Sequence, residues 1–242
     1  MTDIADIPVP AGEVVGRSLQ FFWLADNSGS MQGSKIATLN QAIRDSLPFI
    51  KDAVKKHPEV NVSMRAISFE SSANWHVGPR EEPLESFVWP DLMAMGSTAT
   101  HEAINMLADA LDVSKMPKRN AAPVCILISD GHCDDSRAYE AAIARLKSLP
   151  FGKKAVRLAI AVQDQSGYSE EELVKFVSHP EVGVLKANTP QQLVAYIKWA
   201  SVAATIATSA GKSSVGSESQ NSPNVVISPP DITFSPAPND VF

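Results

Sequence analysis

The sequence predicts an α/β fold: a doubly wound, mostly parallel six-stranded sheet with one antiparallel edge strand and helices on both faces. Segments of strand character and helix character alternate from Leu19 to about Thr208, an order typical of a sheet covered by helices on both sides. Three of the strand segments are nearly continuous apolar runs, as expected for strands buried on both faces. These runs are Leu19–Ala25, Val124–Ser129 and Val156–Val162.

After the first apolar run, the chain has a long amphipathic segment. Apolar residues recur three and four positions apart between Ser34 and Lys56, which predicts a helix, and Pro48 predicts a kink or break within it. Apolar and polar residues alternate over Val60–Phe69, which predicts a strand. Ala73–Val77 is predicted as a short antiparallel neighbour, because the connection is too short for a parallel crossover.

The remaining elements follow from the same periodicities. Residues 79–95 contain three prolines and are predicted to be irregular. Ser169 and Glu172 have the spacing of a capping box at a helix start. The predicted elements are helices over Thr100–Val113, Asp135–Leu149 and Ser169–Ser178, a short strand over Val182–Leu185, and a final helix capped by Thr189.

The composition excludes several classes of protein. The chain has 242 residues, of which 44% are hydrophobic, enough for one substantial core. A net charge of -6 argues against nucleic-acid binding and against docking on anionic membranes. Cys125 and Cys133 lie in a strand and its following loop, an arrangement unfavourable for a disulfide. The N-terminus lacks the apolar stretch of a signal peptide or a membrane span, so we expect a cytoplasmic location.

The composition also changes along the chain. Residues 1–15 are predicted to be an N-terminal extension and residues 16–209 a single domain. Residues 210–242 are rich in Ser, Pro and Asn and have little apolar surface to bury. We expect this tail to be a linker or an interaction arm.

Five oxygen-bearing side chains point to a metal site. Asp26, Ser28 and Ser30 directly follow the first apolar run, Thr98 lies in a later loop, and Asp130 follows another apolar run. In a doubly wound sheet, ligands bind beyond the carboxyl ends of the strands. Either Asp26 or Ser30 alone would suit a helix cap, but the set of five suits Mg²⁺, with Mn²⁺ or Ca²⁺ as alternatives. Such an ion would be short of anionic ligands and would attract a carboxylate from outside.

This pattern resembles the von Willebrand factor A domain and its metal-ion-dependent adhesion site. The family pattern is D-x-S-x-S after the first strand, a Thr in a later loop and an Asp at the start of another loop, and the resemblance covers roughly Gly16 to Ser209. It implies a Rossmann-like fold and a Mg²⁺ held by hydroxyls directly and by carboxylates partly through water. One coordination position is then left for an Asp or Glu of a partner protein.

Within this family, the chain is similar to bacterial cytoplasmic members associated with tellurite resistance and stress operons. The shared features are a short N-terminus, the sequence D-x-S-G-S-M, a closing helix ending in Trp199 and a Ser-rich run, and a Pro-containing tail. Those members are encoded together with a PP2C-like phosphatase and a protein kinase. The resemblance therefore implies that such proteins are candidate partners.

The sequence favours a non-enzymatic adaptor but leaves alternatives. One is an accessory subunit of an AAA+ ATPase, as in chelatase-like complexes. Another is a hydrolase that activates water with Mg²⁺, although no general base is evident beside the five ligands. A third hypothesis places a carboxylate of the tail, from Asp231, Asp240 or Phe242, at the open metal position. The residues predicted to contact a partner around the metal are Asn27, Met31, Trp89, Met93, His101 and His132.

Overall fold

The computed structural model of the chain describes residues 16–116, 120–162 and 169–209. The predicted N-terminal extension and C-terminal tail lie outside the described residues, and so do the tail carboxylates proposed as metal ligands. Within these ranges, no helix combines the length and the apolar character that a membrane span requires.

In the described residues, six strands form one sheet with the order β3-β2-β1-β4-β5-β6. Neighbouring strands pair in parallel, apart from the antiparallel pair of β2 and the edge strand β3. The predicted fold class is therefore confirmed. The strands are β1 (Arg17–Asp26), β2 (Val60–Phe69), β3 (Ala73–Pro83), β4 (Val124–Ser129), β5 (Val156–Val162) and β6 (Val184–Ala187).

Helices cover both faces of this sheet. Helices α1 and α6 pack together on one face, and α2, α3 and α5 pack on the other. A short 3-10 helix, Gly29–Met31, lies between β1 and α1. In the described residues the α-helices are α1 (Ser34–Val54), α2 (Thr100–Ala110), α3 (Ser136–Ser148), α4 (Pro150–Lys154), α5 (Glu170–Phe176) and α6 (Pro190–Ser209).

The central strand β1 is buried on both faces. Phe21 and Trp23 pack in the core beneath α1 and α6, whereas Phe22 and Leu24 pack in the core beneath α2 and α3. All four side chains are fully buried, which explains why this strand is a continuous apolar run in the sequence. Close packing on both sides holds Asp26, the last residue of β1, in a fixed position.

Strand β3 is longer than the sequence predicts. It continues through Pro79 to Pro83, where an irregular segment was expected. Among the described residues β3 pairs only with β2, so its outer edge has no partner strand there, and a proline is tolerated at such an edge. Its pairing shifts register between Met64 and Ala66 and again between Ala66 and Ile67, so the regular alternation is interrupted.

Helix boundaries also differ in places from the predicted ones. Helix α1 runs unbroken through Pro48, because its buried apolar stripe continues on both sides of the proline and outweighs one lost backbone hydrogen bond. Thr189 caps α6 as predicted, with its hydroxyl accepting from the Gln192 backbone N–H at 3.2 Å. The capping box predicted at the start of α5 is wrong. The Ser169 side chain makes no capping hydrogen bond, and the Glu172 carboxylate accepts instead from the Ser136 hydroxyl of α3.

Candidate metal centre

Two adjacent parallel strands place two aspartates at the same edge of the sheet. Asp26 ends β1 and Asp130 directly follows β4, and the two strands pair with Ala25 opposite Ile128. Both aspartates are buried. As the sequence predicts, both carboxylates lie at the carboxyl edge of the sheet.

The Asp26 carboxylate is held by two hydrogen bonds. The Ser28 backbone N–H donates to Oδ1 at 2.8 Å, and the Ser129 hydroxyl donates to Oδ2 at 2.6 Å. Burial raises the pKa of Asp26 to about 6, the negative charge of Asp130 adds to this rise, and the bonds from Ser129 and Ser28 oppose it. The carboxylate is thus oriented, but its ionised form is poorly solvated.

The loop after β1 supplies two hydroxyls beside this carboxylate. Ser28 is buried and Ser30 is exposed, and their Oγ atoms are 3.0 Å apart. The ammonium group of Lys35 donates to the backbone carbonyl of Ser30 at 3.0 Å, which holds the start of α1 against this loop. Asp26, Ser28 and Ser30 therefore form one oxygen-rich corner with solvent access through Ser30.

Thr98 is tied to the loop that carries Asp130. The backbone N–H of Thr98 donates to Asp134 Oδ2 at 2.9 Å, and the Thr98 carbonyl accepts from the Asp134 backbone N–H at 3.1 Å. The Asp130 carboxylate accepts within its own loop, from the His132 backbone N–H at 3.2 Å. The loop that carries Thr98 and the loop that carries Asp130 are therefore joined by direct hydrogen bonds through Asp134.

Residues 84–99, which we call the rim loop, border the same corner. The Met95 backbone N–H donates to the Asn27 carbonyl at 2.8 Å, and the Gly29 backbone N–H donates to the Gly96 carbonyl at 3.0 Å. The side-chain amide of Asn27 donates to the Met93 carbonyl at 3.1 Å. The rim loop is thereby fixed alongside the loop that contains Ser28 and Ser30.

Asn40 of α1 anchors the rim loop from its inner side. Its Oδ1 accepts from the Trp89 indole N–H at 3.0 Å and from the Leu92 backbone N–H at 2.9 Å, while its Nδ2 donates to the Leu92 carbonyl at 2.9 Å. Asn40 is buried. Sequence analysis missed this role, because Asn40 lies in an amphipathic helix far along the chain from the loop that it holds.

Three of the residues predicted to contact a partner have buried side chains. Asn27 bonds to the rim loop, Met31 packs in the core beneath α1, and Trp89 is held by Asn40. The other three candidates reach the surface to different degrees: Met93 and His132 are exposed and His101 is half-buried.

Two residues that hold the site were also missed. Ser129 positions Asp26, and its Oγ accepts from the Gly131 backbone N–H at 2.9 Å, while Asp134 joins the loops of Thr98 and Asp130. Both lie in the sequence S-D-G-H-C-D-D around Asp130. The clustering of polar residues beside a predicted ligand is the signal that would have identified them.

The donor set fits a hard divalent cation. Among the described residues, neither Asp26 nor Asp130 forms an ion pair with a basic side chain. The described ranges also contain no cluster of three or more His, Cys, Asp or Glu residues that would hold a metal. Two carboxylates and three hydroxyls are oxygen donors of the kind that Mg²⁺ prefers.

Comparison with known sequences identifies one family. Residues 22–197 match the von Willebrand factor type A domain. No curated protein shows significant sequence similarity to the chain.

Solved structures with the same fold come from diverse sources. One is proximal thread matrix protein 1 from the mussel byssus, solved with zinc in its metal-ion-dependent adhesion site (MIDAS) motif. It is 16% identical to this chain, with a TM-score of 0.55, and the match covers 79% of this chain and 46% of that one. A von Willebrand factor type A protein from Catenulispora acidiphila is 14% identical, with a TM-score of 0.55 over 79% and 43%. The open form of the pilus adhesin SpaC from Lactobacillus rhamnosus GG is 14% identical, with a TM-score of 0.57 over 76% and 30%. The chain thus spans less than half the length of these proteins, and the likeness concerns the fold.

Proposed function

Because the chain belongs to the von Willebrand factor type A domain family, as its match over residues 22–197 shows, we propose that it is a non-enzymatic, metal-dependent adaptor. It binds a divalent cation at the carboxyl edge of the sheet and captures an Asp or Glu of a partner protein through that ion. Mg²⁺ is the proposed ion, with Mn²⁺ or Ca²⁺ as alternatives. The proposed ligands are Asp26, Ser28, Ser30, Thr98 and Asp130.

One observation carries this proposal: two buried carboxylates lie close together without a basic partner among the described residues. Burial and mutual repulsion already raise the pKa of Asp26 to about 6. A buried charge without a counter-charge is costly, and a divalent cation would neutralise both carboxylates at once. Because the five proposed ligands leave one position of a six-coordinate ion open, an external carboxylate would complete its coordination.

The rim loop gives the proposed partner surface an apolar side. The side chains of Met93 and Met95 are 71% and 49% exposed. Their backbones are held by hydrogen bonds to Asn27, which lies beside the predicted ligands. Exposed methionines are adaptable contact residues. The partner that suits this surface presents a carboxylate with an apolar side chain next to it.

The proposed partners are a PP2C-like phosphatase and a protein kinase in a cytoplasmic stress or tellurite-resistance system. The support for this is the sequence resemblance described above. The identity of captured proteins separates this proposal from an accessory role with an AAA+ ATPase, for which a hexameric motor would be recovered. Phosphatase and nuclease assays with Mg²⁺ test the hydrolase alternative.

The central experiment combines metal titration with partner capture. We expect calorimetry to show one Mg²⁺ site in the wild type, and Asp130→Ala to weaken it more than about a hundredfold, because removing one partner of a buried charge pair costs about 3–5 kcal/mol. A partner captured from a lysate and identified by mass spectrometry is then purified, and its affinity is measured with Mg²⁺ and with EDTA.

The proposal requires three losses of affinity to agree. EDTA, Asp130→Ala and substitution of one Asp or Glu of the partner by its amide should each weaken the complex strongly, while circular dichroism shows that Asp130→Ala remains folded. Asp52→Asn, at an exposed position of α1, is the matched control and should change nothing. A complex that survives both chelation and Asp130→Ala would show that the metal does not mediate capture.

The methionine pair should contribute to partner binding and leave metal binding unchanged. We expect Met93→Ser combined with Met95→Ser to weaken the complex about thirtyfold to several hundredfold, since each exposed side chain would bury apolar area worth about 1–2 kcal/mol. Mg²⁺ affinity should stay at the wild-type value, because only the backbones of these residues hold the rim loop. Val113→Ser is the control: Val113 is 57% exposed and lies past the far end of α2. Equal effects of the pair and the control would exclude a specific contact.

A further inference from the structure

A cavity lies at the opposite end of α2 from the predicted metal-binding loops. It has a volume of about 350 Å³ and opens between β2, β3 and the C-terminal part of α2. Thr98 precedes the first residue of α2, whereas the cavity is lined by residues 106–115 at the other end of the helix. The lining residues that matter below are Arg65, Trp75, Met106, Asp109 and Lys115.

The wall of this cavity contains a buried guanidinium without a direct anionic partner. Arg65 is 7% exposed, and its Nη2 donates to Gln20 Oε1 at 2.9 Å. Its Nε has no hydrogen-bond partner, and among the described residues Nη1 donates to no protein atom and no carboxylate forms an ion pair with the group. Buried arginines are normally paired with an anion. Arg65 differs, because some of its N–H donors have no partner among the described residues.

Aromatic rings and a polar network hold this guanidinium in place. Its central carbon lies 4.5 Å from the ring centroid of Phe22 and 5.6 Å from that of Trp75. The side-chain amide of Gln20 donates to Ser63 Oγ at 3.0 Å, which keeps the Gln20 carbonyl directed at Arg65. The group is therefore preorganised, with its charge partly stabilised by the rings.

The charges around the cavity favour an anion. Lys115 is a second cation in its lining, and the charge of Asp109 is met by an ion pair with Arg145 of α3. Glu81 acts on Arg65 through space, but its carboxylate accepts a hydrogen bond from Ser63 Oγ at 3.2 Å. The wall at Arg65 thus keeps a positive charge that the protein does not pair directly.

We propose that this cavity binds a small organic carboxylate, with the carboxylate on Arg65 and a flat apolar body against Trp75 and Met106. A guanidinium presents parallel donors that match the two oxygens of a carboxylate. The volume is at the lower end of the range for ligand pockets, roughly 300–1,000 Å³, which limits the ligand to the size of a single substituted ring. Lys115 is exposed to solvent, so Arg65 is the buried cation of the lining, and one buried guanidinium balances a monoanion better than a dianion.

The test is an NMR titration of the full chain with benzoate, carried out in EDTA so that the metal site plays no part. We expect the Trp75 indole resonance, assigned by its loss in Trp75→Phe, to shift saturably with benzoate. The neutral analogue benzamide should bind at least about tenfold more weakly, because it cannot pair with the guanidinium. Equal affinity for benzoate and benzamide would show that the cavity is only an apolar cleft and would overturn the proposal. The absence of a saturable shift with benzoate would overturn it as well. Phenyl phosphate tests the charge argument: tighter binding than benzoate would overturn the assignment of the cavity to a carboxylate monoanion.

Two variants and a control locate the binding. Arg65→Lys retains the charge but loses the parallel donors and should weaken benzoate binding about tenfold or more, and Met106→Trp should abolish it by filling the cavity. Arg80→Gln, at an exposed arginine of β3 outside the lining, should have no effect. If Arg65→Lys fails to fold, Met106→Trp decides: benzoate shifts that persist in this folded variant would place the ligand elsewhere and exclude the cavity.

Discussion

Replacing Asp26 with asparagine is expected to abolish Mg²⁺ binding and, at the same time, to stabilise the metal-free protein. The carboxylate is fully buried and has no basic partner in the described part of the chain. Asparagine keeps an acceptor for the Ser28 backbone N–H but carries no charge, so it removes the desolvation that raises the pKa of Asp26 from 3.8 to about 6. A shift of this size corresponds to about 3 kcal/mol at neutral pH.

The pH dependence of stability has a definite sign. The pKa of Asp26 is higher in the folded protein, about 6, than the unfolded value of 3.8, so the native state holds a proton that the unfolded state has released. The contribution of Asp26 to the free energy of unfolding of the metal-free wild type should therefore fall as the pH rises from about 4 to 6, and it should level off above about pH 6. The asparagine variant lacks this contribution.

Urea denaturation in EDTA at several pH values, together with Mg²⁺ calorimetry, measures both effects. The difference between wild type and Asp26→Asn isolates the contribution of this residue, because other titrating groups are common to both proteins. Asp52→Asn, a change at an exposed residue of α1, should leave metal affinity unchanged, and the loss of its exposed ion pair with Lys55 should change stability only slightly. A variant that binds Mg²⁺ as tightly as the wild type would remove Asp26 from the ligand set. A variant less stable than the wild type at pH 8 would contradict the assigned electrostatic cost.

Replacing Asn40 with alanine is expected to cost about 3 kcal/mol of unfolding free energy and to loosen the rim loop. The change removes three buried hydrogen bonds and leaves the Trp89 indole N–H and the Leu92 backbone N–H and carbonyl without their side-chain partner. Each buried polar group left unsatisfied costs about 1–3 kcal/mol. Because Thr98 lies at the end of the same loop, Mg²⁺ affinity should fall as well.

Denaturation and hydrogen exchange test this prediction. The Leu92 backbone amide should lose protection in Asn40→Ala, while amides of β1 and β4 keep protection relative to the lowered global stability. Gln41→Ala changes the next residue of α1, which is exposed, and should alter stability by less than about 0.5 kcal/mol. An unchanged Leu92 amide would mean that the rim loop is held by other contacts.

The agreement between sequence and structure depends on how local each signal is. Strands β4 and β5 have the predicted boundaries, because an apolar run buried on both faces is a property of neighbouring residues. The extension of β3 through Pro79 was missed, because it depends on pairing with β2 across a shifted register. Ser169 has the spacing of a cap, but Glu172 is engaged by Ser136 from another helix.

The candidate site shows the same contrast between features set by neighbouring residues and features set by tertiary packing. The sequence predicted that Asp26 and Asp130 would lie together, since both follow parallel strands and such strands end at one edge of the sheet. It did not predict which neighbours of the ligands point outward. Trp89 and Met93 are close in sequence, yet Trp89 is buried on Asn40 and Met93 is exposed.

By itself, the sequence determined the fold class, the order of the strands and the sheet edge at which Asp26 and Asp130 lie. Periodicity and chain order carry that information, because they depend on residues close together along the chain. Only the tertiary structure decided that the carboxylates of Asp26 and Asp130 lack a basic partner in the described residues, that Asn40 holds the rim loop, and that Arg65 has unused donors beside a cavity. Each of these depends on which side chains meet when distant elements pack, and on the burial that removes water from the groups between them.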